Sequence, residues 1–215
     1  MEIAIIIGIG LLITFMLLFV YIQEKRRRKK AFPNKLKIDH EQCNKIGLPE
    51  LTFTIFYPDD PNLTVTPAKE NAKNTSYVTM VYLDDKKELV EMMSLGYCKN
   101  CLASHFDQQL EMLQNIISAI GAYYDDFKLH FIGKLHFRHH MTVGAKYSFT
   151  LLEKQKYMAA GQYFGFMVIL RSDFGLERNG LIYNIIANKE KTKFQDIDHF
   201  IHFSYFNKIL STLRF

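Results

Sequence analysis

From Ile3 to Ile22 the chain carries no charged side chain, and before Tyr21 its only hydroxyl group is that of Thr14. Twenty residues of helix rise about 30 Å, the thickness of a bilayer's hydrocarbon core. The run lacks the polar positions at helical spacing that a core helix shows. It also lacks the basic leading segment and small-residue cleavage site of a secretory signal peptide. The pattern predicts an N-terminal single transmembrane helix over residues 1–24. Lys25, Arg26, Arg27, Arg28, Lys29 and Lys30 follow directly, and no Lys or Arg precedes the run. The positive-inside rule then predicts a single-pass protein of the cell membrane, its N-terminus outside and its C-terminal domain cytoplasmic. The same six side chains are expected to contact anionic lipid headgroups. Ala4 and Gly8 form a small-xxx-small pair, which would allow a homo-oligomer through that helix.

Residues 25–50 are polar, contain Pro33 and Pro49, and read as a basic juxtamembrane segment and linker. An α+β domain is expected over 51–215. Leu51–Tyr57 alternates and is rich in β-formers, and Pro58-Asp59-Asp60-Pro61 closes it with a turn. Shorter strands are expected at Asn62–Thr66 and Ser76–Leu83, and a helix from Asp84-Asp85 through Leu95. In Ser104–Tyr123 the residues Phe106, Leu110, Leu113, Ile117 and Ile120 recur at helical steps, and Ser104 with Asp107 gives a capping-box pattern. The period then changes to two, with strands at about 127–138, 142–152, 161–171 and 180–188, the last two joined at Asn179-Gly180. Phe200, Phe203, Phe206 and Ile209-Leu210 predict a closing helix over Ile197–Phe215. This order predicts an α/β sandwich with a mostly antiparallel sheet.

The C-terminal part resembles the PsbP-like fold, named for an extrinsic protein of photosystem II and shared by a Ran-binding nuclear-import factor. Val143-Gly144-Ala145-Lys146-Tyr147-Ser148-Phe149 resembles the family's strand that opens on glycine and a small residue. Tyr163–Leu170 and Leu181–Ala187 follow as a long hairpin, and Ile209–Phe215 resembles the family's terminal Ile-Leu element. The resemblance implies an α+β domain over 51–215, and no ligand motif carries a photosynthetic metal function across.

Charge narrows the functional classes. The chain has 27 Lys and Arg against 22 Asp and Glu, but residues 1–30 account for a net +4 of the total +5. With +1 left for residues 31–215, composition gives no support for a nucleic-acid-binding face. No P-loop, dinucleotide fingerprint, G-x-S-x-G elbow or H-E-x-x-H occurs. Cys98-Lys99-Asn100-Cys101 has the spacing of a redox pair or half a zinc site. His130, His136, His139 and His140 cluster nearby, and His136 with His140 would be the partners completing a metal site with Cys98 and Cys101. Reduced free thiols and surface or edge-strand histidines are the preferred readings of the two groups. The adjacent pairs Asp59-Asp60, Asp84-Asp85 and Asp125-Asp126 read as turn and cap residues. Asn62-Leu-Thr64 and Asn74-Thr-Ser76 match glycosylation sequons, relevant only to an exported domain.

The sequence therefore predicts no cofactor and no catalytic residue. It points to a non-catalytic domain that binds an unidentified membrane or cytoplasmic protein, as an adaptor or subunit of a membrane assembly. A small thiol-redox or zinc protein using the Cys98–Cys101 pair, or an anionic-lipid-binding module, is the alternative.

Overall fold

A computed structural model of the chain describes residues 2–70, 76–99, 101, 105–137, 140–170 and 179–215, with side chains from residue 13 onward except Arg28 and Lys29. It opens with α1 (Glu2–Ala31). The described apolar side chains of α1 run from Ile13 to Ile22 and are exposed, and Gln23 and Glu24 end the run. Among the described residues no helix is long and apolar enough to cross a membrane. This overturns the transmembrane anchor, and with it the single-pass cell-membrane localisation and topology. Lipid contact and self-association through a spanning helix lose their basis too.

The segment 31–50, read as linker, holds two elements that pack into the core. They are β1 (Asn34–Ile38) and α2 (His40–Ile46). Asp39 caps α2 by accepting from the Gln42 amide at 3.0 Å, and Gly47 ends it at φ 70°, a conformation that suits glycine. Ile38, Cys43 and Ile46 are buried. β1 pairs antiparallel with β2 (Phe53–Tyr57) as a separate two-stranded ribbon.

The remaining strands form one antiparallel sheet. They are β3 (Leu63–Pro67), β4 (Ser76–Leu83), β5 (Leu89–Cys98), β6 (Asp125–Phe137), β7 (His140–Leu151), β8 (Gly161–Leu170) and β9 (Gly180–Asn188). Their spatial order is β3-β4-β5-β9-β8-β7-β6. The predicted helix through Leu95 is instead β5. Its inward positions Leu89, Glu91, Met93 and Leu95 alternate with less buried ones, and a carboxylate in the buried series obscured the period of two.

Helix α3 (Phe106–Tyr123) covers one face of the sheet, with Leu113 and Ile117 fully buried against Val143, Ala145, Tyr147 and Met167. Ser104 lies outside the described residues. At the helix start Gln108 Oε1 accepts from the His105 amide at 3.2 Å, the return half of a capping box. The opposite face is covered by the β1–β2 ribbon, α2, and two short helices, α4 (Ile197–Phe203) and α5 (Tyr205–Leu210). The single closing helix that was expected is broken at Ser204. Arg214 then exchanges backbone hydrogen bonds with Thr54 at 2.7 and 2.8 Å, so the chain's last residues pin the ribbon.

Two packing devices fix this arrangement. Gly165 lies opposite Tyr147, and a Cβ there would stand 2.2 Å from two carbons of the Tyr147 ring. The ring occupies the space the glycine leaves, and its hydroxyl donates to Asn184 Oδ1 at 2.8 Å. The second device is Glu91, 4% exposed, which accepts from Ser204 Oγ at 2.6 Å and from the Tyr205 amide at 3.3 Å. Ser204 Oγ in turn accepts from the Phe206 amide at 3.2 Å. One carboxylate on β5 thereby satisfies the junction between α4 and α5.

Gly165→Ala should cost about 1–3 kcal/mol in urea unfolding, because a buried, hydrogen-bonded ring must move. A loss within error of zero would contradict the close approach. Burial is the largest influence on the Glu91 carboxyl and raises its pKa above 4.5, against the lowering effect of its hydrogen bonds. The folded state thus binds this proton more tightly than the unfolded chain does. Glu91's favourable contribution is complete below the unfolded value and is lost as pH rises through the raised folded value. Between pH 4 and 7 wild type should lose stability relative to Glu91→Gln, with a difference in slope of at most about 1.4 kcal/mol per pH unit. Parallel stability profiles would exclude it.

Candidate functional site

The β6–β7 hairpin concentrates what the composition of the whole chain conceals. Residues 127–152 contain no Asp or Glu, four basic residues (Lys128, Lys134, Arg138, Lys146) and four histidines. Their Lys and Arg charge of +4 leaves −3 for the rest of residues 31–215. A cationic strip therefore lies on an otherwise mildly acidic domain. Arg138 and His139 lie outside the described residues.

β6 stands at the margin of the sheet, paired with β7 in antiparallel register from Lys128↔Ser148 to Phe137↔His140. Two register shifts, between Asp125 and Lys128 and between Leu129 and Phe131, twist its first half. Leu129 is 45% exposed and Phe131 is 37% exposed. Lys146 holds Asp198 of α4 in an ion pair and lies 5.7 Å above the Phe131 ring. On the α3 side, Lys134 lies 5.1 Å above the Phe106 ring. His130 Nε2 and Ser148 Oγ share a hydrogen bond at 2.8 Å.

Where the end of β6 meets α4 and α5, an open groove of about 380 Å³ is lined by His136 and Phe137 of β6, Asp198 and His202 of α4, Asn207 of α5 and Ser211. Its walls are set by their neighbours. Phe137 packs on Phe166 and Tyr183, with ring centroids 5.3 and 6.1 Å away. Asn207 accepts from the Tyr183 hydroxyl at 3.0 Å and donates to the Ile201 carbonyl. The lining mixes imidazoles, one carboxylate, an amide, a hydroxyl and aromatic surface, a set suited to polar side chains of a peptide.

The sequence-predicted site residues do not converge here. Cys98, at the end of β5, and Cys101 are joined by a disulfide, Cα–Cα 5.5 Å, and are 2% and 3% exposed. They belong to the core under α3, where Cys98 Sγ lies 3.7 Å from Met112 Sδ and Gln109 Nε2 donates to the Cys101 carbonyl at 2.8 Å. His136 lines the groove beside α4 and α5, away from the disulfide. His140 opens β7 and is exposed. Among the described residues no group of three His, Cys, Asp or Glu is placed to hold a metal ion. Lys25, Arg26, Arg27 and Lys30 are exposed on α1.

The acidic pairs serve turns. Asp84 Oδ1 accepts from the amides of Lys86 and Glu88, each at 2.9 Å. Asp84 and Glu88 also hold Lys191 in ion pairs, and these bonds keep both carboxyls below their ordinary pKa. Asp60 accepts from the Asn62 amide at 2.9 Å and from the Tyr205 hydroxyl at 3.1 Å. Asp126, at φ 46°, sits at the first register shift of β6. The hairpin's two strands were expected, but its charge was overlooked because charge was summed over residues 31–215. A running count of carboxylates would have found the acid-free stretch.

No protein-family model matches the chain, and no curated protein matches it. Among solved structures it is similar to cyanobacterial PsbP (CyanoP) of Synechocystis sp. PCC 6803, at 11% identity over 86% of this chain and 92% of that one, TM-score 0.44. It is also similar to the Ran-binding protein Mog1p of Saccharomyces cerevisiae, at 7% identity over 84% and 95%, TM-score 0.45. A third similar structure is a Pseudomonas aeruginosa protein of unknown function, PA94, described as a putative regulator, at 11% identity over 74% and 88%, TM-score 0.35. A PsbP and a Ran-binding protein are thus both among the structures the chain is similar to, in line with the resemblance read from the sequence.

Proposed function

We propose that the chain is a binding domain for a partner protein, and that the partner engages the β6–β7 hairpin and the groove beside it. One observation supports this most directly. A marginal hairpin without a carboxylate between residues 127 and 152 carries exposed Lys128 and Lys134 together with exposed Leu129 and Phe131. Interspersed cationic and apolar side chains at a sheet margin favour an acidic partner surface, because charge complementarity speeds encounter and fixes orientation. The groove adds a shaped pocket in which His136, His202 and Ser211 can exchange hydrogen bonds with the partner's side chains.

A photo-crosslinking residue placed at Phe131 should capture a defined partner in the source cells. The same residue at Thr66, on the other margin of the sheet, should not. Lys128→Glu with Lys134→Glu should remove the Phe131 adduct. Equal capture at the two positions, or capture indifferent to the charge reversal, would refute the hairpin as the binding region.

A further inference from the structure

We propose that the outer edge of β6 receives an extended acidic segment of the partner, which joins the sheet as an eighth strand. This rests on the hairpin being the binding region and specifies how it binds. A marginal strand leaves one row of backbone N–H and C=O groups unpaired, which is a template for another strand. Among the described residues β6 pairs with β7 alone, and no backbone hydrogen bond reaches its other side. It is also the longer of the two margins, 13 residues against the 5 of β3, which ends on Pro67.

Charge selects the occupant. From Lys128 to Phe137 β6 carries Lys128 and Lys134 and no carboxylate, so a second copy pairing over this stretch offers neither lysine a counter-charge. Like charges brought together across a strand pair are destabilising, so this stretch disfavours its own copy. An incoming strand of alternating Glu or Asp and apolar residues meets the opposite condition. The register shift between Leu129 and Phe131 sets Lys128 and Phe131 on the α4 face and Leu129 and Lys134 on the α3 face, so whichever face carries its carboxylates finds one lysine, and the face that carries its apolar side chains finds Phe131 or Leu129. Lysines on a margin are a device against indiscriminate edge pairing. Here the same residues make one class of strand acceptable.

The test uses the full chain and fluorescein-labelled peptides of about ten residues, read by anisotropy. They are an alternating Glu-Val peptide, its Lys-Val counterpart, and two Glu-Val peptides N-methylated at the odd or at the even residues. The Glu-Val peptide should bind and the Lys-Val peptide should not. One N-methylated peptide should bind like the parent and the other should lose about tenfold or more in affinity, because only one edge of the added strand pairs with β6. Lys128→Glu with Lys134→Glu should weaken the parent peptide by a similar factor. Circular dichroism establishes that this variant is folded. If it is not, hydrogen-exchange protection of β6 amides in wild type on adding the Glu-Val peptide replaces it.

Equal binding of the two N-methylated peptides would overturn strand addition and leave the hairpin as the binding region. Affinity indifferent to the charge reversal would overturn both readings. No binding of the Glu-Val peptide up to millimolar concentration, or a wild-type dimer lost on charge reversal, would overturn the acidic strand as the occupant.

Discussion

The two-sided burial of β8 and β9 governs the rest of the molecule. Along β8, Tyr163, Met167 and Ile169 face α3, while Phe164, Phe166, Val168 and Leu170 face the opposite layer. A strand apolar on both sides needs cover on both sides. One face is served by α3, a single amphipathic helix. For the other the chain uses its two ends: β1, α2 and β2 from the beginning, α4 and α5 from the end. They meet where Arg214 bonds Thr54 and where Thr212 Oγ1 bonds the backbone of Phe56. The groove is a product of the same requirement, since α4 and α5 end short of covering His136 and Phe137.

Glu91 shows how a polar group can serve such a core. Its carboxylate is desolvated, a cost that would be prohibitive without partners. Ser204 Oγ and the Tyr205 amide supply them at the point where the closing helix breaks. The break turns α5 so that Phe206, Ile209 and Leu210 are buried while Asn207 lines the groove. The wall of the candidate site is thus oriented by an interaction inside the core.

Much of this was legible in the chain itself. The strands β6 to β9 and the helix α3 were expected where they are found, because a local pattern of apolar positions is enough to recognise each of them. β5 was not legible, since Glu91 occupies an inward position whose partner lies 113 residues later. Nor were β1 and α2, whose short apolar sets (Ile38; Cys43 and Ile46) acquire meaning only once packed against the far end of the chain. The apolar run Ile3–Ile22 invited a membrane reading that the described helix does not sustain. For the candidate site, His136 was visible as a member of a histidine cluster. Its companions Asp198, His202 and Asn207 were not, because they come together with it only through the fold. The disulfide between Cys98 and Cys101 was foreshadowed by spacing alone, and its place beneath α3 depended on tertiary packing.

The sheet order carries a temporal consequence. β5 lies between β4 and β9, with Glu91 opposite Ala187 and Cys98 opposite Gly180. During synthesis β3, β4 and β5 emerge early, and the inner margin of β5 must wait until α3 and β6 to β8 have been made. Contacts so distant along the chain slow folding, and an apolar strand left open in that interval is exposed to association with other nascent chains. The stretch made in the meantime includes the acid-free β6–β7 hairpin, whose lysines carry like charges that oppose such encounters while the sheet is still incomplete. Residues proposed to serve recognition in the finished domain would thus also protect the unfinished one.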